Sequence, residues 1–263
     1  MNWTAEDVIT TDRYLAAFPN NYYKTDVFYY GQIVWRGRLH KFNNALNFLK
    51  SNTTKIVAGH SDLPITDSIV NQYPYSKWFC VNKQTPKVRG LPLGITNDCN
   101  DSPIHRIYGN IPMMVEVASE PRDIQNLLYA NFSLDTYPAE RMPLMNYLRD
   151  KSWVTVESSI STMEGRRNYL QSIRNHTFVA CPRGNGVDTH RLWETLYMGS
   201  IPIVIRDIAH SDWMDLPILW INSWEEVTEQ YLLDMEKIIT GRSWNMEKLK
   251  VGYWINYIKN TSN

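Results

Sequence analysis

This sequence lacks an excess of charge of either sign. Lys plus Arg and Asp plus Glu both number 27 in 263 residues, so the formal net charge is zero. No global attraction to nucleic acid or anionic lipid follows from that balance, and no dense basic run supplies a local one. Three cysteines, Cys80, Cys99 and Cys181, are odd in number and far apart. That argues against a disulfide framework and against the paired spacing of a zinc site. No apolar run is long enough to span a bilayer, and the opening MNWTAEDVITTDRY has no leader-like stretch. The expectation is a soluble chain in a reducing, cytoplasmic compartment, with no transmembrane segment and no nucleic-acid partner. Repeats and low-complexity tracts are absent too.

What is present is an alternation. DVFYYG, TKIVAG and KWFCVN read as strands, and HKFNNALNFLK has the spacing of an amphipathic helix. A turn-rich section runs from Thr85 to Pro112, and ASEPRD at 118–123 marks a break. Beyond it NLLYANFS, SWVTVES and PILWIN read as strands, while AERMPLMNYLRD, MEGRRNYLQSIRNH and SWEEVTEQYLLDMEKII read as helices. SWNMEKLKVGYWINYIK reads as a last, aromatic-faced helix. Strands alternating with helices imply parallel sheets covered by helices, and the length fits two such α/β units.

The stretch FVACPRGNGVDTHRLWETLYMGSIPIVI, residues 178–205, concentrates the chemistry. A short strand leads into the loop PRGNG, then into about three turns of helix, and Gly199 is placed to end that helix in the left-handed conformation. Asp188 or Thr189 can cap the helix start. A helix N-terminus fed by a glycine-bearing loop suits a phosphate, because it presents unpaired N–H groups and the positive end of the helix dipole. At a helical step of about 100° per residue, His190 and Glu194 fall within about 40° of each other. Leu192 and Leu196 point the other way, toward the expected sheet. A carboxylate one turn into such a helix can accept hydrogen bonds from ribose hydroxyls, and Arg183 and Arg191 can complement a pyrophosphate. The common nucleotide signatures fail here. No Lys follows the glycines as a P-loop requires, and Gly184 and Gly186 are followed by Thr189 where a dinucleotide fingerprint needs a third glycine.

CPRGNGVDTHRLWETLYMGSIPIVI resembles the C-terminal signature of exostosin-like glycosyltransferases, often grouped as family 47. NFSLDTYPAER and GLPLGI are similar to segments of short members from microbes and large DNA viruses, chlorovirus glycan-building enzymes among them. The resemblance implies an α/β, compact GT-B fold, with two Rossmann-like domains facing a cleft. Residues 1–120 would form the acceptor-side domain, 121–240 the nucleotide-sugar-binding domain, and 241–263 a C-terminal helix packing back on the first. It implies an inverting, metal-independent glycosyltransferase with a UDP-sugar donor, a carbohydrate acceptor and no cofactor. UDP-xylose is favoured among donors because the chain is compact. Carried onto this sequence, Glu194 would bind ribose, Arg183, Arg191 and Arg141 the diphosphate, and His190 the phosphate or donor sugar, beside the loop Gly184, Asn185 and Gly186. No D-x-D pair for a metal–diphosphate complex is present.

Inverting transfer also needs a base for the acceptor hydroxyl. In KIVAGHSDLPITD a strand runs into a loop, and strand ends are where α/β sheets place ligands. Asp62 is the candidate base, with His60 and Ser61 positioning acceptor or donor. Asp26, which opens a strand, and Glu116, which suits an outward strand position, are weaker rivals. Two other readings stay open from sequence: a non-catalytic nucleotide-sugar or glycan-binding module, and a retaining GT-B enzyme.

Overall fold

A computed structural model describes residues 3–18, 27–30, 32–35, 38–41, 55–59, 62, 64–72, 74, 76–97 and 102–262. The first half contains α1 (Thr11–Ala17), β1 (Val27–Tyr30), an antiparallel pair of β2 (Gln32–Trp35) and β3 (Arg38–Lys41), then β4 (Lys55–Ala58), α2 (Asp67–Val70), β5 (Lys77–Cys80) and β6 (Arg89–Gly90). Here β1, β4, β5 and β6 make a parallel sheet in that order. Helices α3 (Pro103–Tyr108) and α4 (Ile111–Ser119) follow. The second half runs β7 (Asn126–Ala130), α5 (Pro138–Leu148), β8 (Val154–Val156), α6 (Met163–Arg174), β9 (His176–Ala180), α7 (His190–Met198), β10 (Ile201–Ile205) and β11 (Leu219–Ile221). Its sheet is also parallel, ordered β8-β7-β9-β10-β11. The chain ends with α8 (Glu229–Thr240) and α9 (Val251–Asn260).

Local sequence explains these elements. All five residues of β9 are buried, and β10 is the apolar run IPIVI with four of five buried, as strands covered on both faces must be. Gly199, at φ +81°, ends α7 in a conformation that costs a side-chain-bearing residue about 1–2 kcal/mol. Where the sequence reads as turns up to Pro112, the structure has α3 and the start of α4. Asn110 caps α4 by accepting the Met113 N–H, and a proline stands at the start of each helix. Glu116 therefore lies on a helix, its exposed carboxylate paired with Arg167, rather than on a strand. Of the stretch read as a helix at residues 40–50, His40 and Lys41 belong to β3 and the rest lies outside the described residues, as does Asp26.

The two sheets share a core. Val57 and Phe79 of the first sheet belong to the same buried cluster as Val179, Leu192 and Trp193 of the second half. Trp254 and Ile258 of α9 join that cluster. Helix α9 returns to the first sheet, where Lys55 Nζ donates to the Lys259 carbonyl at 2.9 Å and Tyr257 meets Phe79 edge-on. A 3₁₀ turn, Ile208–Trp213, completes the seam. Asp212 accepts the Gly90 N–H at 2.9 Å and pairs with buried Lys83. Among the described residues no helix is long and apolar enough to cross a membrane.

Candidate functional site

The order of the second sheet determines where a ligand can enter. From β7 the chain moves outward to β8, then reverses to β9 on the other side of β7. Between β7 and β9 the connecting helices therefore diverge and leave a crevice at the strands' carboxyl ends, the place where open α/β sheets bind ligands. A cleft of about 330 Å³ opens there. It is lined by the segments after β7 (Thr136, Arg141), β8 (Ser159, Ile160) and β9 (Gly184 to Arg191), by Arg166 and Tyr169 of α6, and by Glu194 of α7. Asp62, Leu93 and Thr96 face it from the first sheet, with Tyr108 of α3.

At its floor lies a buried ionic cluster. Glu194 Oε1 pairs with Arg166 Nη2 at 2.7 Å, their side chains being 5% and 1% exposed. Glu194 Oε2 accepts the Tyr169 hydroxyl at 2.9 Å. Burial opposes ionisation of Glu194, yet Arg166, His190 and the Tyr169 hydroxyl outweigh it and hold the carboxyl below its ordinary range. Burial and the adjacent carboxylate push the Tyr169 phenol well up, so it stays a donor. Sequence reasoning missed Arg166. Its signal was an arginine at the same helical face as Leu170 and Ile173 in MEGRRNYLQSIR, where an apolar residue was due.

Two guanidinium groups put positive charge at the cleft, for Arg166 and Arg191 both line it. Among the described residues the Nε–H of each is enclosed and has no hydrogen-bond partner, which costs about 1–3 kcal/mol.

Arg141 is different. Its Nε, Nη1 and Nη2 donate to the carbonyls of Arg183, Ser133 and Pro182 at 2.8, 2.9 and 3.4 Å. It staples the loop after β9 to the loop after β7, and burial, then the charge of Arg191, bring its pKa down to about 10. Arg183 lies outside the cleft lining, its guanidinium 4.3 Å over the Tyr137 ring. Arg141 thus lines the cleft wall while its three nitrogens hold backbone carbonyls, and Arg183 stacks on Tyr137 beside it.

The glycine loop, Gly184 to Gly186, lines the cleft ahead of α7. Gly184 N donates to Gly186 O at 3.0 Å, closing the loop on itself. A methyl group on Gly186 would come within 2.7 Å of Asn82 Nδ2, so this glycine admits a neighbour from the first sheet. Asn82, itself at φ +52°, accepts the Asp188 N–H at 2.9 Å. The Asp188 carboxylate accepts Leu93 N at 2.8 Å and Trp193 Nε1 at 3.0 Å. Burial pushes the Asp188 carboxyl up to about 7, against the pull of those N–H donors. Thr189 is the N-cap residue of α7, without a side-chain cap bond. Helix α7 is buried from Leu192 to Met198, so Glu194 is enclosed rather than on an open face.

His190 completes the junction. Its Nδ1 lies 2.7 Å from the Gly94 carbonyl. Gly94 sits at φ +71°, with Ile9 O only 2.1 Å from where a Cβ would stand, so no other residue fits there. Burial is the main force lowering the His190 pKa, against the Gly94 carbonyl and the carboxylates of Glu194 and Asp62. Asp62 itself is exposed at the rim, after β4. His60 and Ser61 lie outside the described residues. Among the described residues no group of three His, Cys, Asp or Glu side chains is arranged to hold a metal ion.

No family model matches the chain, and no curated protein matches it. Among solved structures, the crystal structure of an alpha1,3-fucosyltransferase is similar at 13% identity, covering 93% of this chain and 80% of that one, with a TM-score of 0.45. A likeness that distant carries no argument about activity. The exostosin-like resemblance rests on the sequence motifs alone.

Proposed function

We propose that this chain is a GT-B glycosyltransferase that moves a sugar from a UDP-sugar to a hydroxyl of a glycan, with inversion and without a metal ion. The observation that carries this reading is the cleft itself. Two cleft-lining arginines and a charged glutamate stand at the switch point of one sheet, facing an aspartate from the other. The diphosphate would lie against Arg166, Arg191 and the start of α7. Glu194 would receive the ribose hydroxyls, since an ionised carboxylate offers about four acceptor positions and Arg166 and Tyr169 occupy two of them.

In the transfer, an acceptor hydroxyl oxygen attacks the anomeric carbon from the face opposite the diphosphate. The C–O bond to phosphate breaks, and UDP departs with the electron pair. Asp62 takes the acceptor proton. The cationic floor stabilises the negative charge that develops on the leaving diphosphate, which is where positioned donors accelerate such a step. The compact chain favours a small donor, UDP-xylose first.

A panel of UDP- and GDP-sugars, screened for thermal stabilisation and for nucleotide release with EDTA present throughout, tests this. Stabilisation by a UDP-sugar, with UDP released on adding a glycan acceptor, is the expected result. Asp62→Asn should keep the stabilisation and lose at least tenfold in release rate, about 1.4 kcal/mol of barrier. No response to any nucleotide would overturn the reading.

A further inference from the structure

The exostosin-like resemblance leaves His190 with two roles, phosphate ligand or sugar ligand, and those roles ask different things of the ring nitrogen that faces the ligand. A phosphate oxygen accepts hydrogen bonds only, so it needs N–H from the imidazole. A hydroxyl can also donate, so it can be read by a bare nitrogen. The decision therefore turns on which nitrogen carries the proton.

The backbone settles that point. The Gly94 carbonyl can only accept, so His190 Nδ1, 2.7 Å away, must donate. Gly94 packs so close to the Ile9 backbone that a Cβ would stand 2.1 Å from Ile9 O, an oxygen that also accepts the Ile95 N–H at 2.9 Å. The neutral ring thus carries its proton on Nδ1 and a lone pair on Nε2. Among the described residues nothing is hydrogen-bonded to Nε2. The ring stays neutral at pH 7, because burial lowers its pKa despite Glu194, Asp62 and the Gly94 carbonyl, and Arg166 acts in the same direction as burial. A phosphate placed at Nε2 would meet a lone pair and be repelled. Arg166 and Arg191, which line the same cleft, are the cations an anion would choose.

We propose that His190 reads a hydroxyl of the transferred sugar through its Nε2 lone pair, and does not bind the diphosphate. This rests on the UDP-sugar reading above and deepens it. His190 becomes a donor-specificity residue, held in register by a carbonyl of the opposite sheet. Sugar recognition then depends on the seam between the sheets, whereas nucleotide recognition depends on the second sheet alone. The donor class that fits is a nucleotide sugar with a free ring hydroxyl near the anomeric carbon.

Titration calorimetry with UDP and with UDP-xylose, on wild type and on His190→Asn, separates the roles. Asparagine can still donate to Gly94 O from its amide while removing the Nε2 acceptor. His190→Asn should bind UDP as wild type does and lose about three- to tenfold in affinity for UDP-xylose, the worth of one neutral hydrogen bond. Equal losses for both ligands would assign His190 to the diphosphate and overturn the proposal. No loss for either would overturn it as well. A wild-type chain that binds neither UDP nor UDP-xylose would instead sink the underlying functional reading.

Discussion

The two sheets equip the cleft differently. From the second come side-chain charges: Arg166 and Glu194, buried and paired, with half-buried Arg191 nearby. From the first come mainly backbone groups and one amide, with Leu93 N–H on Asp188, Gly94 C=O on His190 and Asn82 against Gly186. Among the described residues Asp62 is the carboxylate that the first half places at the rim. On the proposed reading this is a division of labour, in which one sheet would supply binding strength and the other would orient the groups around the reaction centre. Backbone groups suit the second task because they cannot change rotamer.

The largest expected effect is on the charged side. Arg166→Ala leaves Glu194 buried without its cation, and chemical denaturation should show a loss of about 3–5 kcal/mol. A loss below 1 kcal/mol would mean that water reaches the cluster. Next comes Arg191→Ala, which on the proposed reading would remove charged hydrogen bonds to a diphosphate. UDP affinity should fall about ten- to hundredfold, the worth of about 1.5–3 kcal/mol.

The orienting side breaks by overpacking. Gly186→Ala drives a methyl group into Asn82 and should cost about 1–3 kcal/mol in stability, and Asn82→Ala in the same chain should relieve part of that cost.

Asp188 adds a pH dependence to the seam. Its folded pKa of about 7 lies above the ordinary carboxylate value of about 3.9, so the folded chain holds the proton more tightly than the unfolded one. The stability this contributes is complete below about pH 4 and is lost as pH rises through about 7. Melting curves of wild type and Asp188→Asn should therefore diverge over that interval, wild type losing ground as pH rises, and run parallel above it.

The smallest effect belongs to Arg183→Ala. With its guanidinium stacked on Tyr137 outside the cleft, UDP affinity should change less than about twofold and stability by about 0.5–1 kcal/mol. A large affinity loss there, matching that of Arg191→Ala, would erase the distinction drawn between the two arginines.

The second half of the fold was legible because its signals are local. Apolar runs flanking GNG mark β9 and β10, and Gly199 marks the end of α7. Sequence also brought Glu194, His190, Arg191 and Asp62 together as site candidates, and all four line one cleft. What it could not supply was partner choice across long separations. Nothing near Glu194 in sequence indicates that Arg166, a helix earlier, takes one of its oxygens. Nothing near Gly186 indicates that Asn82 is the reason for the glycine. A glycine needed for packing and a glycine needed for a phosphate look alike until the neighbour is known. The same holds for arginine: Arg141, Arg166 and Arg183 are alike in sequence, yet one holds carbonyls, one a carboxylate and one an aromatic ring.

The most direct test of the central claim is a crystal structure of the chain grown with UDP. The account predicts the diphosphate against Arg166 and Arg191 at the start of α7, with ribose at Glu194. UDP seated elsewhere, beside Arg183 and Tyr137 for example, or absent from the cleft at saturating concentration, would contradict it.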